Sequence, residues 1–169
     1  VHTGSLYGGK RDIGPLLLAA GIAAGRLNHQ FIVDLYGETS SSISGLPVPS
    51  GVQVSCHDRI SLSDSYRKQE EAGFLLVAMS KDSFDRTYLP AKIFEYARTG
   101  RPIIGLCGED SDLQEIISDY DLGVASFAPE VIADFICNVY DGWTPGRLAR
   151  VGELSAEFQF QRIVDAATM

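Results

Sequence analysis

The strongest constraint on the fold is an alternation of short apolar runs with longer helical patterns along the 169-residue chain. Runs rich in β-branched and aromatic residues predict buried strands, and these runs cover residues 1–3, 30–36, 52–55, 74–79, 103–106 and 123–125. Apolar residues at helical spacing predict helices over residues 15–24, 64–72, 90–99, 110–118, 129–140 and about 145–158, with a helical tail through 163–164. Such alternation is typical of a parallel sheet with helices on both faces. We therefore predict an α/β fold in one Rossmann-like domain over residues 1–169, with a doubly wound parallel sheet of about six strands.

Two of the predicted loops leave the C-terminal ends of strands. Residues 4–11 form a glycine-rich loop that ends in two cations, Lys10 and Arg11, and residues 80–89 form a polar loop. Ligands of parallel sheets bind at this edge, near the point where the strand order reverses. The two loops are therefore expected to converge on one site.

Turn and cap signals predict other boundaries. Gly25 closes the first helix, and Ser63 suits the N-cap of the helix over 64–72. The segment 38–51 is rich in Ser, Gly and Pro, which predicts an exposed loop.

Composition limits the function classes. The formal net charge of −8 argues against a nucleic-acid-binding surface, which needs a basic face, but it allows a local basic pocket for phosphates. No apolar run approaches about 18 residues, so no membrane span is predicted, and no secretory signal is expected. Cys56, Cys107 and Cys137 show no paired spacing, and we interpret them as buried thiols in a reducing, cytoplasmic compartment with no metal site. Because Val1 opens directly into strand-like sequence, we expect a piece of a longer chain.

The helix over 90–99 has the clearest boundaries. Pro90 suits a first turn, where its missing N–H would have no partner, and Gly100 followed by Pro102 suits a helix end. Its apolar face is predicted to hold Ile93, Phe94 and Ala97, and its polar face Lys92, Glu95, Arg98 and Thr99. By spacing alone, Glu95 could be a solvated residue paired loosely with Lys92 or Arg98.

This segment resembles the C-terminal half of GT-B glycosyltransferases, the family that includes group 1 sugar transferases of bacterial polysaccharide synthesis. The family pattern Pro-x-Lys-x-x-Glu-Tyr/Ala-x-x-x-Gly-x-Pro-Val/Ile-Ile is matched from Pro90 to Ile104. The resemblance implies that Glu95 accepts hydrogen bonds from the ribose hydroxyls of a nucleotide-sugar donor. It also implies that the helix N-terminus, with Pro90 and Lys92, faces the diphosphate, which a positive helix end favours.

The glycine-rich loop admits two interpretations. Gly4, Gly9 and Lys10 satisfy Gly-x-x-x-x-Gly-Lys, most of a P-loop, but Arg11 stands where a P-loop needs Ser or Thr. A P-loop NTPase is therefore disfavoured. The GT-B resemblance instead implies that Gly4 ends the first strand and that Lys10 meets the donor diphosphate, with Arg11 as a second cation whose planar fork can hold two phosphate oxygens. Many family members carry Arg directly after the glycine, where this chain has Ser5.

In the alternative interpretation, Lys10 and Arg11 are solvated loop cations. A second departure from the family concerns its frequent pair of glutamates, seven residues apart. Glu95 matches the second, but Thr87 stands at the first, which in the family touches the transferred sugar. Ser80, Lys81 and Asp82 are expected near the pocket without assigned roles.

Residues 56–61 resemble the segment after the third strand, where the family places the base. Arg59 and Ile60 are thus expected to line the donor site. The alternative is a plain turn with an incidental His57. His2 and His29 show no partner pattern, and we interpret them as core or surface residues.

The resemblance implies the C-terminal, nucleotide-sugar-binding domain of a two-domain glycosyltransferase whose N-terminal domain holds the acceptor. Such an enzyme transfers a sugar from a nucleoside diphosphate sugar, such as a UDP sugar, in polysaccharide or glycoconjugate synthesis. Lys10 and Arg11 are the predicted catalytic residues, because they would offset the charge growing on the departing diphosphate.

No cofactor or metal is expected besides the donor substrate, and membrane contact would be at most peripheral, through the acceptor domain. This domain alone is predicted to be inactive. Two alternatives remain at this stage: a nucleotide-binding module of the same fold without catalysis, and a sugar-nucleotide epimerase.

Overall fold

The computed structural model describes residues 1–80, 88–140 and 142. The strands are β1 (His2–Thr3), β2 (Phe31–Tyr36), β3 (Val52–His57), β4 (Leu75–Ala78), β5 (Ile103–Leu106) and β6 (Gly123–Ala125). The helices are α1 (Gly14–Leu27), α2 (Ser40–Ile43), α3 (Leu62–Glu71), α4 (Lys92–Thr99), α5 (Asp112–Asp119) and α6 (Pro129–Tyr140). The helices predicted over 145–158 and 163–164 lie outside the described residues, as do Lys81, Asp82 and Thr87.

All strand pairs are parallel, and they form two three-stranded sheets, β1-β2-β3 and β4-β5-β6. Val1 joins the sheets, because its nitrogen donates to the Phe74 carbonyl (2.8 Å) and its carbonyl accepts from the Leu76 N–H (2.9 Å). The six strands therefore run in the order β3-β2-β1-β4-β5-β6. This order is that of a doubly wound sheet, and it reverses between β1 and β4.

His2 strengthens the junction between the two sheets. Its side chain is fully buried, and Nδ1 lies 2.9 Å from the Leu76 carbonyl. Because a carbonyl only accepts, Nδ1 carries the proton and donates. Burial, followed by the nearby charge of Lys92, lowers the pKa of His2 to about 3, so the ring is neutral at pH 7.

Two hydrophobic clusters cover opposite faces of the sheet. One packs α1 and α6 against alternate strand residues, among them Leu35, Leu76 and Ile104. The other packs α4 and α5 against the intervening residues, among them Leu75 and Ile103. Alternate residues of a strand point to opposite faces, so β4 and β5 supply both clusters. The predicted α/β class, with a Rossmann-like doubly wound sheet and helices on both faces, is confirmed.

Two predicted helix boundaries are wrong. Gly25 lies inside α1, which ends at Asn28 in the left-handed conformation (φ 49°), a conformation that asparagine tolerates. The N-cap of α3 is Ser61 and not Ser63, because the Ser61 hydroxyl accepts from the Asp64 N–H at 3.1 Å.

Other differences concern the extent of loops. Segment 38–51 contains the short helix α2 and the buried Thr39, so it is only partly an exposed loop. Strand β3 continues through His57, which rules out a plain turn at that residue. Cys107 is buried as expected, but Cys56 and Cys137 are only partly buried, and all three are free.

Helix α4 begins at Lys92, and one turn that starts at Pro90 precedes it, since the Ile93 N–H donates to the Pro90 carbonyl. Gly100 ends it in the left-handed conformation, as predicted (φ 66°). None of the helices in the described ranges is both long and apolar enough to cross a membrane.

Candidate functional site

A cleft of about 510 Å³ opens at the C-terminal edge of the sheet, where the strand order reverses. One side is the loop that follows β1 (residues 4–11), here called the loop side. The other side is the segment before α4 together with the first turn of α4 (residues 88–95), here called the helix side. Segments after β2 and β3 close the remaining edge. The lining residues include Thr3, Gly4, Ser5, Tyr7, Arg11, Tyr36, Glu38, Arg59, Ile60, Tyr88, Pro90, Lys92 and Glu95.

Local bonds hold the loop side in a tight turn. Leu6 is fully buried in the core and anchors the loop. The Ser5 hydroxyl accepts from the Tyr7 N–H at 3.0 Å, and the Arg11 N–H reaches back to the Leu6 carbonyl at 3.3 Å. Tyr7, Gly8 and Gly9 all have positive φ, which is unusual for tyrosine.

The two predicted cations of this loop are placed differently. The Arg11 guanidinium lies over the Tyr7 ring, with Cζ 4.4 Å from the ring centroid, and it lines the cleft. Lys10 is exposed and is not among the cleft residues. The structure thus brings Arg11, but not Lys10, together with the other predicted site residues.

The helix side carries a desolvated lysine. Lys92 was predicted on a polar helix face, but its chain is largely buried, and Nζ donates to the Thr3 carbonyl at 2.7 Å. Burial, and then the positive charge of Arg11, lower the pKa of Lys92 to about 8, while the negative charge of Glu95 opposes the shift.

Gly4 makes this approach possible. A Cβ atom at Gly4 would lie 2.6 Å from the Lys92 ammonium nitrogen, and the φ of +135° also suits only glycine. The Gly4 N–H already donates to the Tyr36 carbonyl at 2.8 Å. Gly4 therefore shapes the site through its missing side chain.

Tyr96, on α4, holds the end of β1 in place. The predicted apolar face of α4 does not include Tyr96, yet this residue is as fully buried as Ile93, whereas Phe94 is only partly buried. The Tyr96 hydroxyl oxygen accepts from the Thr3 N–H at 3.1 Å, and it lies 3.2 Å from the Thr3 hydroxyl. Burial raises the pKa of Tyr96, so the phenol stays protonated. The Thr3 carbonyl is thereby held where Lys92 reaches it.

Glu95 lines the cleft one turn along the helix from Lys92, and it is partly exposed. The structure places it in no ion pair with any of the described residues, Lys92 and Arg98 included. The loose pairing considered from spacing is therefore absent, and the carboxylate faces the cleft.

The segment after β3 supplies Arg59 and Ile60 to the cleft, next to Tyr36. His57 is not part of the lining. Its Nε2 donates to Asp34 at 2.7 Å, and its ring stacks on Tyr36 at 4.4 Å between centroids. His57 therefore supports the ring of Tyr36, and the hydrogen bond to Asp34 holds the His57 ring in place.

The start of α1 argues further against a P-loop. The Asp12 carboxylate accepts from the Gly14 N–H at 2.7 Å, so an acidic side chain occupies the helix N-terminus where a P-loop would hold phosphate. In the described part of the chain, no group of three or more His, Cys, Asp or Glu residues lies together as a metal site would need.

Sequence reasoning missed several cleft residues, among them Tyr7, Tyr36, Glu38 and Tyr88. Tyr36 and Glu38 follow directly from β2, so the strand-end rule could have found them had it been applied to every strand. Tyr7 lies inside the glycine-rich loop, but no spacing signal marks its contact with Arg11.

No protein-family model matches the sequence, and no curated protein matches it significantly. Among solved structures, the fold is similar to that of WaaG, a glycosyltransferase involved in lipopolysaccharide biosynthesis, with a TM-score of 0.57 and 17% sequence identity. The likeness covers 89% of this chain and 40% of the WaaG chain. The protein thus has a Rossmann-like fold shared with part of a GT-B glycosyltransferase, in agreement with the resemblance noted in its sequence.

Proposed function

We propose that this chain is the donor-binding domain of a glycosyltransferase that transfers a sugar from a nucleoside diphosphate sugar to an acceptor. One observation carries the proposal: Arg11 from the loop after β1 and Lys92 from α4 line the same cleft, and neither is ion-paired with a carboxylate among the described residues. Two cations that line one cleft, with no ion-paired carboxylate in the described part of the chain, favour a dianionic ligand. The start of α4 adds a positive helix end to the same cleft.

Each predicted site residue then takes a role according to its place. Arg11 and Lys92 bind the diphosphate and offset the charge that grows on it as the sugar departs. Glu95 accepts hydrogen bonds from the ribose hydroxyls, and Arg59 and Ile60 contact the base.

Three further residues complete the assignment. Gly4 leaves room for Lys92, and Ser5 holds the turn of the loop. Lys10, exposed beside the cleft, attracts the anion at a distance and does not grip it.

The likeness covers 40% of the WaaG chain, which supports the proposal that this domain binds the donor within a longer enzyme. We infer that a second, N-terminal domain supplies the acceptor site for polysaccharide or glycoconjugate synthesis. A nucleotide-binding module without catalysis would use the same cleft. Transfer activity of a longer chain separates these two candidates, and this domain alone is expected to transfer no sugar, because one side of the reacting centre stays open to water.

The experiment that tests the proposal is calorimetric titration with UDP, GDP, ADP and CMP, followed by Glu95→Gln with the nucleotide that binds best. Loss of the charged acceptor should weaken binding about 5- to 150-fold, and stability should change by no more than about 0.5 kcal/mol, as for other surface sites.

The matched control is Glu115→Gln on the exposed surface of α5, which should leave binding unchanged. The 2′,3′-dideoxy nucleotide lacks the hydroxyls and should bind wild type and Glu95→Gln alike. Equal affinity of both proteins for the normal nucleotide would remove Glu95 from the ribose site, and failure of every nucleotide to bind would reject the proposed function.

A further inference from the structure

The contact between Tyr7 and Arg11 differs from ordinary surface packing. Tyr7 is 58% exposed, and its ring supports the Arg11 guanidinium with Cζ 4.4 Å from the centroid. Both side chains line the cleft. Arg11 is only partly exposed, and no described carboxylate lies within ion-pair distance of it.

The loop is built to present the Tyr7 ring at this place. Tyr7 has a left-handed backbone (φ 52°). Its N–H donates to the Ser5 hydroxyl at 3.0 Å, and its carbonyl accepts from the Lys10 N–H at 3.3 Å. Such a conformation costs a non-glycine residue free energy, and two glycines follow immediately. A tyrosine kept here, and held by bonds on both sides, indicates a role for its side chain.

Support by a ring suits an arginine that must bind an anion. A carboxylate partner would occupy the N–H edge of the guanidinium and neutralise its charge. An aromatic ring contacts only the planar face, so the N–H groups along the edge stay available for phosphate oxygens.

We propose that Tyr7 is a positioning residue, which holds the Arg11 guanidinium by its face so that its N–H edge meets a diphosphate opposite Lys92. The inference rests on the proposed function, and it adds that the loop side of the cleft grips the diphosphate through this pair. The charge of Arg11 acts on Lys92, so a dianion bound by both side chains would relieve their repulsion.

The test uses inorganic pyrophosphate as the probe, with Tyr7→Ala, Tyr7→Phe, Arg11→Ala and the double variant Tyr7→Ala/Arg11→Ala. Tyr7→Ala should weaken pyrophosphate binding about 2- to 5-fold, and Tyr7→Phe should keep wild-type affinity, because the ring supplies the contact. In the Arg11→Ala background, Tyr7→Ala should have no further effect. The NMR resonance of the Arg11 Nε–H should show a ring-current shift in wild type and Tyr7→Phe that Tyr7→Ala abolishes.

Two outcomes would overturn the inference while leaving the proposed function intact. One is pyrophosphate binding by Tyr7→Ala as tight as by wild type. The other is a loss from Tyr7→Ala that persists in the Arg11→Ala background, because the ring would then contact the ligand itself. If wild type binds neither pyrophosphate nor any nucleoside diphosphate, the proposed function fails and takes the inference with it.

Discussion

The two sides of the cleft present positive charge in opposite ways. On the helix side, Lys92 is desolvated against β1, its ammonium is bonded to the Thr3 carbonyl, and its pKa is lowered to about 8. On the loop side, Arg11 rests on an exposed ring in a turn with three positive φ angles.

The difference shows what each side chain can contribute to binding. A buried lysine places a positive charge at a fixed position, and that charge depends on pH because burial disfavours the ammonium form. An arginine remains charged at any ordinary pH, and its position depends on the ring beneath it. We expect the helix side to set the strength of anion binding and the loop side to refine it.

The largest expected effect is the pH dependence of stability that comes from His2, a buried group near Lys92 whose pKa is lowered to about 3. The unfolded chain takes up a proton near pH 6.5 and the folded chain does not, so stability falls as pH drops from about 6.5 to 3. The contribution reaches about 5 kcal/mol at most. His2→Asn keeps an N–H donor at the Nδ1 position but cannot titrate.

Urea unfolding of both proteins between pH 7 and 4 measures this effect. Wild type should lose stability relative to His2→Asn as the pH falls. Parallel stability curves would show that the ring is protonated in the folded protein as easily as in water.

The next effect concerns Lys92. Lys92→Met keeps a chain of similar length, and it should weaken diphosphate binding roughly 10- to 100-fold, the worth of one charged hydrogen bond. In wild type, affinity should fall as pH rises through about 8, because the ammonium loses its proton there. The groups that face it are Arg11, Glu95 and neutral His2.

Calorimetry with pyrophosphate at pH 7 and 9 is done on wild type and on Lys92→Met. The ionisation of pyrophosphate itself affects both proteins, so the difference between them isolates Lys92, and wild type should lose affinity relative to Lys92→Met as the pH rises. An equal change in both proteins would show that Lys92 does not titrate in this range.

The smallest effect separates the two loop cations. Arg11→Ala should weaken diphosphate binding about 2- to 12-fold, whereas Lys10→Ala should change it by less than about 2-fold, because Lys10 is exposed outside the cleft. Neither change should alter binding of the nucleoside alone. Titrations of both variants with UDP and uridine give the comparison, and a larger loss from Lys10→Ala would reverse the two assignments.

The elements of the fold were predictable because their patterns are local. The bounds of β5, β6 and α6 agree with the prediction, since periodicity and turn residues mark them. The predicted helix boundaries are wrong where two residues compete for one cap. Ser61 and Ser63 compete at the start of α3, and Gly25 and Asn28 compete at the end of α1. The choice depends on the three-dimensional geometry of the turn.

The site was predictable only in part. The strand-end rule predicts that loops 4–11 and 80–89 converge. Tyr88, in the described end of the second loop, lines the same cleft as loop 4–11, whereas residues 81–87 lie outside the described part of the chain. The burial of Lys92 depends on Thr3, which lies 89 positions away, and the His57–Asp34 pair joins residues 23 positions apart. No local pattern contains such contacts, because the strand order creates them.

Strand β1 is only two residues long, so its own ladder does little to fix how far it advances along β4. That advance is set by tertiary bonds: the backbone bonds of Val1 to Phe74 and Leu76, and the side-chain bonds from His2 to Leu76 and from Thr3 to Tyr96 and Lys92. A strand rises about 3.3 Å per residue. A slip of one residue would therefore carry the Thr3 carbonyl beyond the reach of Lys92, now 2.7 Å away, and move the whole of loop 4–11 with it. The tertiary bonds of β1, and not its short ladder, therefore set the distance between the two sides of the cleft.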